Sequence, residues 1–228
     1  MEKQKFIPAL GYDFLTAYYD LAIKLTMPEK RFRRLLVEEI SPKPNEKTLE
    51  FGFGTAQNLL LVKQSCPNVD LRGLDIDPKV KEIANYKLAK NALEIPLELY
   101  DGVRLPYSDK QFDKVYSCLV FHQLDAETKL NCLKEIFRVL KPNGILIIAD
   151  WGKAANPIMR LTFCFVQLLD GFNTTNDNVR GLMPSFMEKA GFDNISVSQS
   201  INTFIGTFSY FKARKNEVFK VNFKKNVE

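Results

Sequence analysis

A glycine-containing loop between a short apolar strand and a helix constrains the fold of this chain more than any other feature. The run Leu49-Glu50-Phe51-Gly52-Phe53-Gly54-Thr55-Ala56 leaves a predicted strand, and helical spacing begins at Gln57. Glycine lets the backbone turn sharply and approach a ligand where a Cβ atom would collide. The next predicted strand ends in Asp75, 21 residues after Gly54, and an acid there can accept hydrogen bonds from ribose hydroxyls. The loop therefore predicts a nucleotide-binding α/β unit.

Strand and helix patterns alternate along the chain. The strands that we predict lie at 48–51, 69–74, 97–100, 112–120, 145–149, about 195–202 and 204–212. Helical spacing separates several of them, as at Asp77-Pro78, where an N-cap residue precedes a proline at the first helical position. We therefore predict an α/β fold class: a Rossmann-like, seven-stranded, mostly parallel sheet with helices on both faces and an antiparallel C-terminal edge.

Length and charge divide the chain into three predicted parts. Its 228 residues fit one large domain, and we place the Rossmann-like domain at residues 46–214. Residues 1–45 precede the first sheet strand, have helical spacing and are predicted to form a lid or cap. Residues 215–228 are predicted to be a basic tail, since six Lys or Arg and two Glu occur from position 212 onward. The tail could contact anionic lipid or nucleic acid, and a solvated terminus explains the same residues.

Several classes of protein are disfavoured by the sequence. No apolar run approaches the roughly 20 residues of a membrane span, and the charged start leads to no signal-peptide core of about 7–15 apolar residues. The four cysteines form no CxxC pair, and a single histidine accompanies them, so no metal site is predicted. We interpret the cysteines as reduced thiols of a cytoplasmic protein.

Such a loop occurs in dinucleotide sites and in sites for other cofactors that contain a ribose, and two residues of this chain distinguish between these kinds of site. A dinucleotide site requires a third glycine where this chain has Gln57, whose side chain would hold the helix away from the strand. The carboxylate of Glu50 would repel a pyrophosphate, but it can hold an ammonium group. Both facts favour a cofactor that has a ribose and an amino-acid tail. A nicotinamide-dependent oxidoreductase is the disfavoured alternative.

Five segments occur in an order and at a spacing that are typical of one known family. They are Leu49–Ala56, Gly73–Pro78, Tyr100–Tyr107, Ser117–Leu124 and Phe137–Gly144. With these segments the chain, from about Lys47 to Lys153, resembles the class I S-adenosylmethionine-dependent methyltransferases. The resemblance is to the branch of ubiquinone and menaquinone biosynthesis enzymes in particular. It implies S-adenosyl-L-methionine as the cofactor.

The resemblance also implies roles for residues at the ends of the first two strands. Glu50, Gly52 and Gly54 would line the methionine part of the cofactor. Asp75 would bind the ribose hydroxyls, and Ile76 would flank the adenine.

The third and fourth segments carry the remaining implied cofactor contacts. Asp101 would meet the adenine amino group, with Gly102 or Val103 providing a backbone donor. Ser117 and Leu119 would lie behind the methyl group. The chain departs from the family pattern inside the loop, where Phe53 replaces a small residue and Ala56 replaces a glycine.

Two polar residues at predicted strand ends are candidates for chemistry on the acceptor. His122 follows the fourth strand, where it could act as a base, and Asp150 ends the fifth strand, where it could position an acceptor. A packing role for His122 and a loop-capping role for Asp150 are the alternatives. Trp151 could stack on the acceptor, and the polar segment 170–181 is a candidate lid loop.

A cluster of cations precedes the first strand. It comprises Lys30, Arg31, Arg33 and Arg34, which alternate with Phe32 and Leu35. A charged, solvent-facing side of a helix is the interpretation that we favour, and contact with a phosphate or lipid headgroup is the alternative.

Together these features predict an S-adenosylmethionine-dependent methyltransferase that acts on a small apolar or aromatic acceptor. The partner would be a small or lipid-soluble molecule, with peripheral membrane contact as a possibility. Nucleic acid is disfavoured because the chain outside the tail is nearly neutral. A regulatory module that binds the cofactor without turnover is the alternative from another functional class.

Overall fold

The computed structural model describes residues 28–164, 167–168 and 171–216. Its strands are β1 (Lys47–Phe51), β2 (Asp70–Asp75), β3 (Leu97–Leu99), β4 (Phe112–Cys118), β5 (Leu140–Trp151), β6 (Asp193–Thr203) and β7 (Gly206–Arg214). Its main helices are α1 (Glu29–Ile40), α2 (Gln57–Ser65), α3 (Pro78–Lys90), α4 (Ala126–Val139), α5 (Pro157–Thr162), α6 (Phe172–Val179) and α7 (Met183–Lys189). A 3₁₀ turn, Phe121–Gln123, lies between β4 and α4.

The strands form one sheet in the order β3-β2-β1-β4-β5-β7-β6. The first five strands are parallel, whereas β7 pairs antiparallel with β5 and β6. This topology confirms the predicted fold class. The strand order reverses between β1 and β4, so the carboxyl ends of these strands border the crevice in which ligands bind in open α/β sheets.

The central strands are buried on both faces of the sheet, since neighbouring residues along a strand point to opposite sides and lie in two different apolar clusters. In β5, Leu146 and Ile148 face one apolar cluster and Ile147 faces the other. Helices α1, α2 and α3 cover one face, and α4 and α7 cover the other. Continuous apolar runs suit strands that are buried in this way.

Helix α1 is the described part of the predicted N-terminal lid. It packs on a face of the sheet, where the rings of Phe32 and Phe208 are 5.2 Å apart. The hydroxyl of Tyr210 also donates to the carbonyl oxygen of Phe32 at 2.6 Å. Residues 1–27 lie outside the described residues, so the lid prediction for them stays a prediction.

The C-terminal third differs from the pattern expected of it. The segment 170–181, predicted to be a polar loop, contains the helix α6, which buries Thr174, Thr175 and Asn178 against the rest of the fold. Thr175 Oγ1, for example, donates to the carbonyl oxygen of Gly171 at 2.6 Å. Lys215, the first residue of the predicted tail, is tied to the fold, since its Nζ donates to Phe137 O at 2.6 Å and Leu140 O at 2.7 Å. Residues 217–228 lie outside the described residues.

Among the helices of the described ranges, none is long and apolar enough to cross a membrane.

Candidate functional site

The glycine loop connects β1 to α2 at the point where the strand order reverses. Gly52 and Gly54 have φ angles of +76° and +52°, in the left-handed region that favours glycine. A Cβ atom at Gly52 would overlap Cγ2 of Val120, so this position has no room for a side chain. A Cβ atom at Gly54 would meet nothing within 4 Å. The loop is therefore packed on one side against the segment that follows β4, and it borders open space at Gly54.

Asp75 lies against this loop, as the sequence predicted. Its Oδ2 accepts a hydrogen bond from the amide of Gly54 at 2.9 Å, and its Oδ1 accepts from the amides of Ile76 at 2.7 Å and Asp77 at 3.2 Å. Burial raises the pKa of Asp75, although the three amide bonds oppose that effect. A carboxylate has about four acceptor positions. Acceptor capacity for a ligand hydroxyl therefore remains beside the loop.

Glu50 is fully buried in β1, two residues before the loop. Its Oε1 accepts from Asn58 Nδ2 at 2.9 Å, and its Oε2 accepts from the hydroxyl of Tyr116 at 3.1 Å. Burial raises the pKa of Glu50 to about 8, against the lowering effect of these two hydrogen bonds and of the Arg33 charge. The carboxyl group is therefore mostly protonated at neutral pH unless a cation binds beside it.

The raised pKa of Glu50 predicts how the free energy of unfolding depends on pH. Between pH 4.5, the ordinary value, and about pH 8, the folded chain holds a proton that the unfolded chain has released. The free energy of unfolding therefore falls as the pH rises through this window. Glu50→Gln mimics the protonated carboxyl group, so it should remove this slope and stabilise the protein by about 2–4 kcal/mol at pH 8.

Denaturant unfolding from pH 5 to pH 8 measures this effect. Glu38→Gln, at an exposed position of α1, is the matched control and should keep the wild-type slope. Equal slopes for wild type and Glu50→Gln would contradict the buried, protonated state.

The loop after β3 carries the three residues implied to contact adenine. Asp101 is exposed, and its Oδ1 accepts from the amides of Val103 at 2.9 Å and Arg104 at 3.1 Å, which lowers its pKa. Gly102 has a φ angle of +83°, and Val103 is exposed. The carboxylate thus closes a turn at the same edge of the sheet as Asp75, and the adenine contact stays a prediction.

Ser117 and Leu119 lie at the end of β4, next to the glycine loop. The hydroxyl of Ser117 is buried and donates to the carbonyl oxygen of Phe51 at 2.8 Å, so it ties β4 to β1. Leu119 has a φ angle of +58°, an unusual conformation for a residue with a branched side chain. Its amide donates to the carbonyl oxygen of Ala149 at 2.9 Å. This bend carries the chain into the turn that holds His122.

His122 and Asp150, predicted separately, form a buried pair. The distance between His122 Nδ1 and Asp150 Oδ1 is 2.7 Å. Asp150 also accepts from two backbone amides, from His122 at 3.1 Å and from Trp151 at 2.7 Å. Because a carboxylate only accepts hydrogen bonds, Nδ1 carries a proton at this contact. The pair therefore joins the 3₁₀ turn to the end of β5.

Helix α6 packs against the turn that carries His122 and against the end of β5. Lys129 of α4 holds this helix, since its buried Nζ donates to Thr174 O at 2.6 Å. Asn178 Nδ2 donates to the carbonyl oxygen of Trp151 at 3.0 Å. The ring of Trp151, expected to stack on an acceptor, instead packs against Phe163, with a centroid distance of 5.4 Å. Helix α6 therefore forms a wall of the site at the end of β5.

The sequence did not single out the residues that surround Glu50. Asn58 and Tyr116 contact its carboxyl group, and Arg33 donates to Asn58 Oδ1. The sequence favours a solvent-facing position for Arg33, but the side chain is buried at 7% exposure because α1 lies against α2. The spacing of Glu29 and Arg33, four residues apart on one helix, was the available signal for an ordered arginine.

Comparison with known proteins gives one family and several relatives. Residues 49–148 match a family described as a methyltransferase domain. A demethylmenaquinone methyltransferase of Lactobacillus johnsonii is 32% identical over 153 residues, which are 66% of this chain and 60% of that protein. A ubiquinone/menaquinone biosynthesis C-methyltransferase of Geotalea daltonii is 27% identical over 144 residues, 62% of this chain and 58% of that protein.

A solved structure shares the fold. Phosphoethanolamine N-methyltransferase 2 of Haemonchus contortus, solved with phosphomonomethylethanolamine and S-adenosylhomocysteine, superposes with a TM-score of 0.70 at 14% identity. The superposition covers 90% of this chain and 60% of that chain. The chain spans about 60% of the length of the curated relatives that it matches.

Proposed function

We propose that this chain is a class I S-adenosylmethionine-dependent methyltransferase, an enzyme that transfers a methyl group from S-adenosyl-L-methionine to a small apolar or aromatic acceptor. The observation that carries the proposal is the contact between the glycine loop and the acid of the next strand. Asp75 Oδ2 accepts from the Gly54 amide at 2.9 Å, beside open space at Gly54. Fold alone does not imply function, so the argument rests on this site.

The residues of the site fit the proposed cofactor part by part. Asp75 has acceptor capacity for a ribose hydroxyl, and Ile76 follows it at the edge of the sheet. Glu50 can become a carboxylate when an ammonium group binds, because a nearby cation favours the charged form. When bound, S-adenosylmethionine supplies a methyl group on a positively charged sulfur. The sulfur leaves readily because it becomes a neutral thioether when the methyl group is transferred. Contacts of Asp101, Gly102 and Val103 with adenine, and of Ser117 and Leu119 near the methyl group, are part of the proposal.

We propose a reduced, quinone-like aromatic ring as the acceptor. The supporting observations are the relatives, whose names refer to demethylmenaquinone and to ubiquinone/menaquinone biosynthesis. A ring hydroxyl of such an acceptor is a weak acid, and loss of its proton raises the electron density on the neighbouring ring carbons.

His122 is the proposed base in this reaction. In the proposed reaction the imidazole takes the proton of a ring hydroxyl, and Asp150 Oδ1, 2.7 Å from Nδ1, stabilises the imidazolium that forms. The amides of His122 and Trp151 fix the carboxylate of Asp150, so the ring of His122 has one preferred orientation. Asp150 is thus a positioning residue for His122.

Two measurements test the proposed function together. Thermal shift with S-adenosylhomocysteine should raise the melting temperature, and NAD at the same concentration should not. Transfer of labelled methyl groups to demethylmenaquinol, a reduced naphthoquinone, should then be detectable. Stabilisation by NAD alone would indicate a nicotinamide oxidoreductase. Binding of the adenosyl compound without transfer to demethylmenaquinol or to any compound in a quinone and lipid extract would indicate a regulatory module.

A lipid-soluble acceptor also leads us to propose peripheral contact with an anionic membrane. Apolar side chains on α5 and at the β6–β7 turn are largely exposed, with Leu161 at 72% and Phe204 at 93%. The helix lies beside the turn, since a Cβ atom at Gly206 would overlap the ring of Phe163. Lys153 and Arg160 are the charged residues between 151 and 164, so this surface is cationic.

Co-sedimentation with vesicles that contain phosphatidylglycerol measures this contact. The double variant Leu161→Glu/Phe204→Glu should reduce the bound fraction severalfold, because it places two anions against an anionic surface. Tyr86→Glu on α3, which replaces a side chain that is also 72% exposed, is the control and should bind like wild type. Equal binding by all three proteins would remove this surface from the proposal. The predicted lid (1–45) and basic tail (215–228) are possible further contacts.

We propose a cytoplasmic location. All four cysteines are free, and Cys66, Cys118 and Cys132 are buried. Free thiols persist in reducing compartments.

A further inference from the structure

A continuous chain of side-chain hydrogen bonds runs from α1 to Glu50. Arg33 Nε donates to Glu29 Oε1 at 2.8 Å, and another nitrogen of the same guanidinium donates to Asn58 Oδ1. Asn58 Nδ2 in turn donates to Glu50 Oε1 at 2.9 Å. Arg33, Asn58 and Glu50 are all buried. The chain of bonds therefore connects a helix that precedes the sheet with an acid at the glycine loop.

The direction of this chain depends on Arg33. An asparagine amide has two orientations of nearly equal shape, with oxygen and nitrogen exchanged. A guanidinium only donates, so it must face the oxygen of Asn58, and the amide nitrogen must then face Glu50. Without Arg33, the oxygen of Asn58 could turn towards Glu50 and repel its carboxylate form. Arg33 thus determines that the amide nitrogen of Asn58, and not its oxygen, faces Glu50.

Arg33 lies outside the residues that match the family, which begin at position 49. Its position depends on α1, which packs through Phe32 on Phe208 and through Leu36 on the sheet. The neighbouring Arg34 differs, since its side chain is 71% exposed and pairs at 3.5 Å with Glu38. Two adjacent arginines of one helix therefore have different surroundings, and the buried one, Arg33, bonds to Asn58 of α2.

We propose that Arg33 is a positioning residue for the amino-acid end of the cofactor, because it orients Asn58 so that the carboxylate of Glu50 is available to an ammonium group. The inference rests on the proposed function. It makes α1 part of the cofactor site, although no residue of α1 belongs to the glycine loop or to the strands of the sheet. It also predicts that Arg33 matters only for ligands that carry the amino-acid end.

Two ligands and two arginine variants test the inference. S-adenosylhomocysteine has the amino-acid end, whereas 5′-deoxy-5′-methylthioadenosine has the same adenosine and sulfur without it. By titration calorimetry, Arg33→Met should weaken binding of S-adenosylhomocysteine about tenfold or more and change binding of methylthioadenosine less than twofold. Arg34→Met is the matched control and should change neither affinity.

A second variant keeps the test decisive if Arg33→Met does not fold. Asn58→Asp retains the acceptor for Arg33 but cannot donate to Glu50, so it should weaken S-adenosylhomocysteine selectively in the same way. Equal loss for both ligands, or no loss for either, would overturn the inference while the proposed function stands. Failure of wild type to bind either ligand would overturn both.

Discussion

Replacement of Asp75 by alanine should weaken binding of S-adenosylhomocysteine by about 10–100-fold. A hydrogen bond from a hydroxyl to a charged carboxylate contributes about 1.5–3 kcal/mol, and the ribose hydroxyl that bonds to the remaining acceptor position of Asp75 would lose this partner. Every 1.4 kcal/mol is about a factor of ten in affinity. The variant also leaves the Gly54 amide without its acceptor, which loosens the loop. Calorimetry with adenosine as a second ligand separates these two effects. Adenosine has the same ribose but no amino-acid end, so a loss that is larger for S-adenosylhomocysteine than for adenosine measures the loosening of the loop.

The control for this experiment lies on the same strand. Asp70→Ala removes a carboxylate at the amino end of β2, where its ion-pair partner is Arg72 at 3.9 Å. This variant should bind like wild type, and Asp75→Asn should give an intermediate loss because it keeps one acceptor oxygen. Wild-type affinity in Asp75→Ala would contradict the placement of the nucleoside at this loop.

Replacement of His122 by alanine should lower the rate of methyl transfer to demethylmenaquinol by about 10²–10⁴-fold, the usual contribution of a general base. The affinity for S-adenosylhomocysteine should stay within twofold of wild type, because His122 is proposed to act on the acceptor. Asp150→Asn should lower the rate as well, since Asp150 holds the proton on His122 Nδ1. Single-turnover rates with labelled cofactor measure the chemical step directly.

Gln123→Ala, in the same 3₁₀ turn, is the matched control for His122→Ala. It should keep the wild-type rate. Rescue of His122→Ala by added imidazole would separate proton transfer from a structural effect. An unchanged rate in His122→Ala would assign His122 to packing, the alternative that the sequence also allowed.

The glycine loop could be predicted from the sequence because the residues that indicate it are close together in the chain. Gly52 and Gly54 lie where the backbone has positive φ angles, and Asp75 ends the neighbouring strand. Apolar runs predicted strands that are buried on both faces, and the parallel part of the sheet follows from their alternation with helices. These patterns depend on backbone geometry and on the periodicity of side chains, which a short segment already contains.

Contacts between residues that are far apart in the sequence could not be predicted in this way. His122 and Asp150 were each proposed from a strand end, but their 2.7 Å contact depends on the register in which Cys118 pairs with Ala149. The ring of Trp151 points into the core, since Phe163 and Phe208 surround it. Nothing in the residues next to Trp151 specifies that direction.

The sequence alone determined the class of fold, the position of the glycine loop, and Asp75 as the acid that contacts this loop. Only the tertiary structure decided that Arg33 is buried, that the segment 172–179 is a helix over His122, and that Glu50 is enclosed by Asn58 and Tyr116. The physical reason is that burial and pairing of polar groups depend on which surfaces meet. Arg33 and Asn58 are 25 residues apart and Glu50 and Tyr116 are 66 apart, and packing of the helices and strands brings them together.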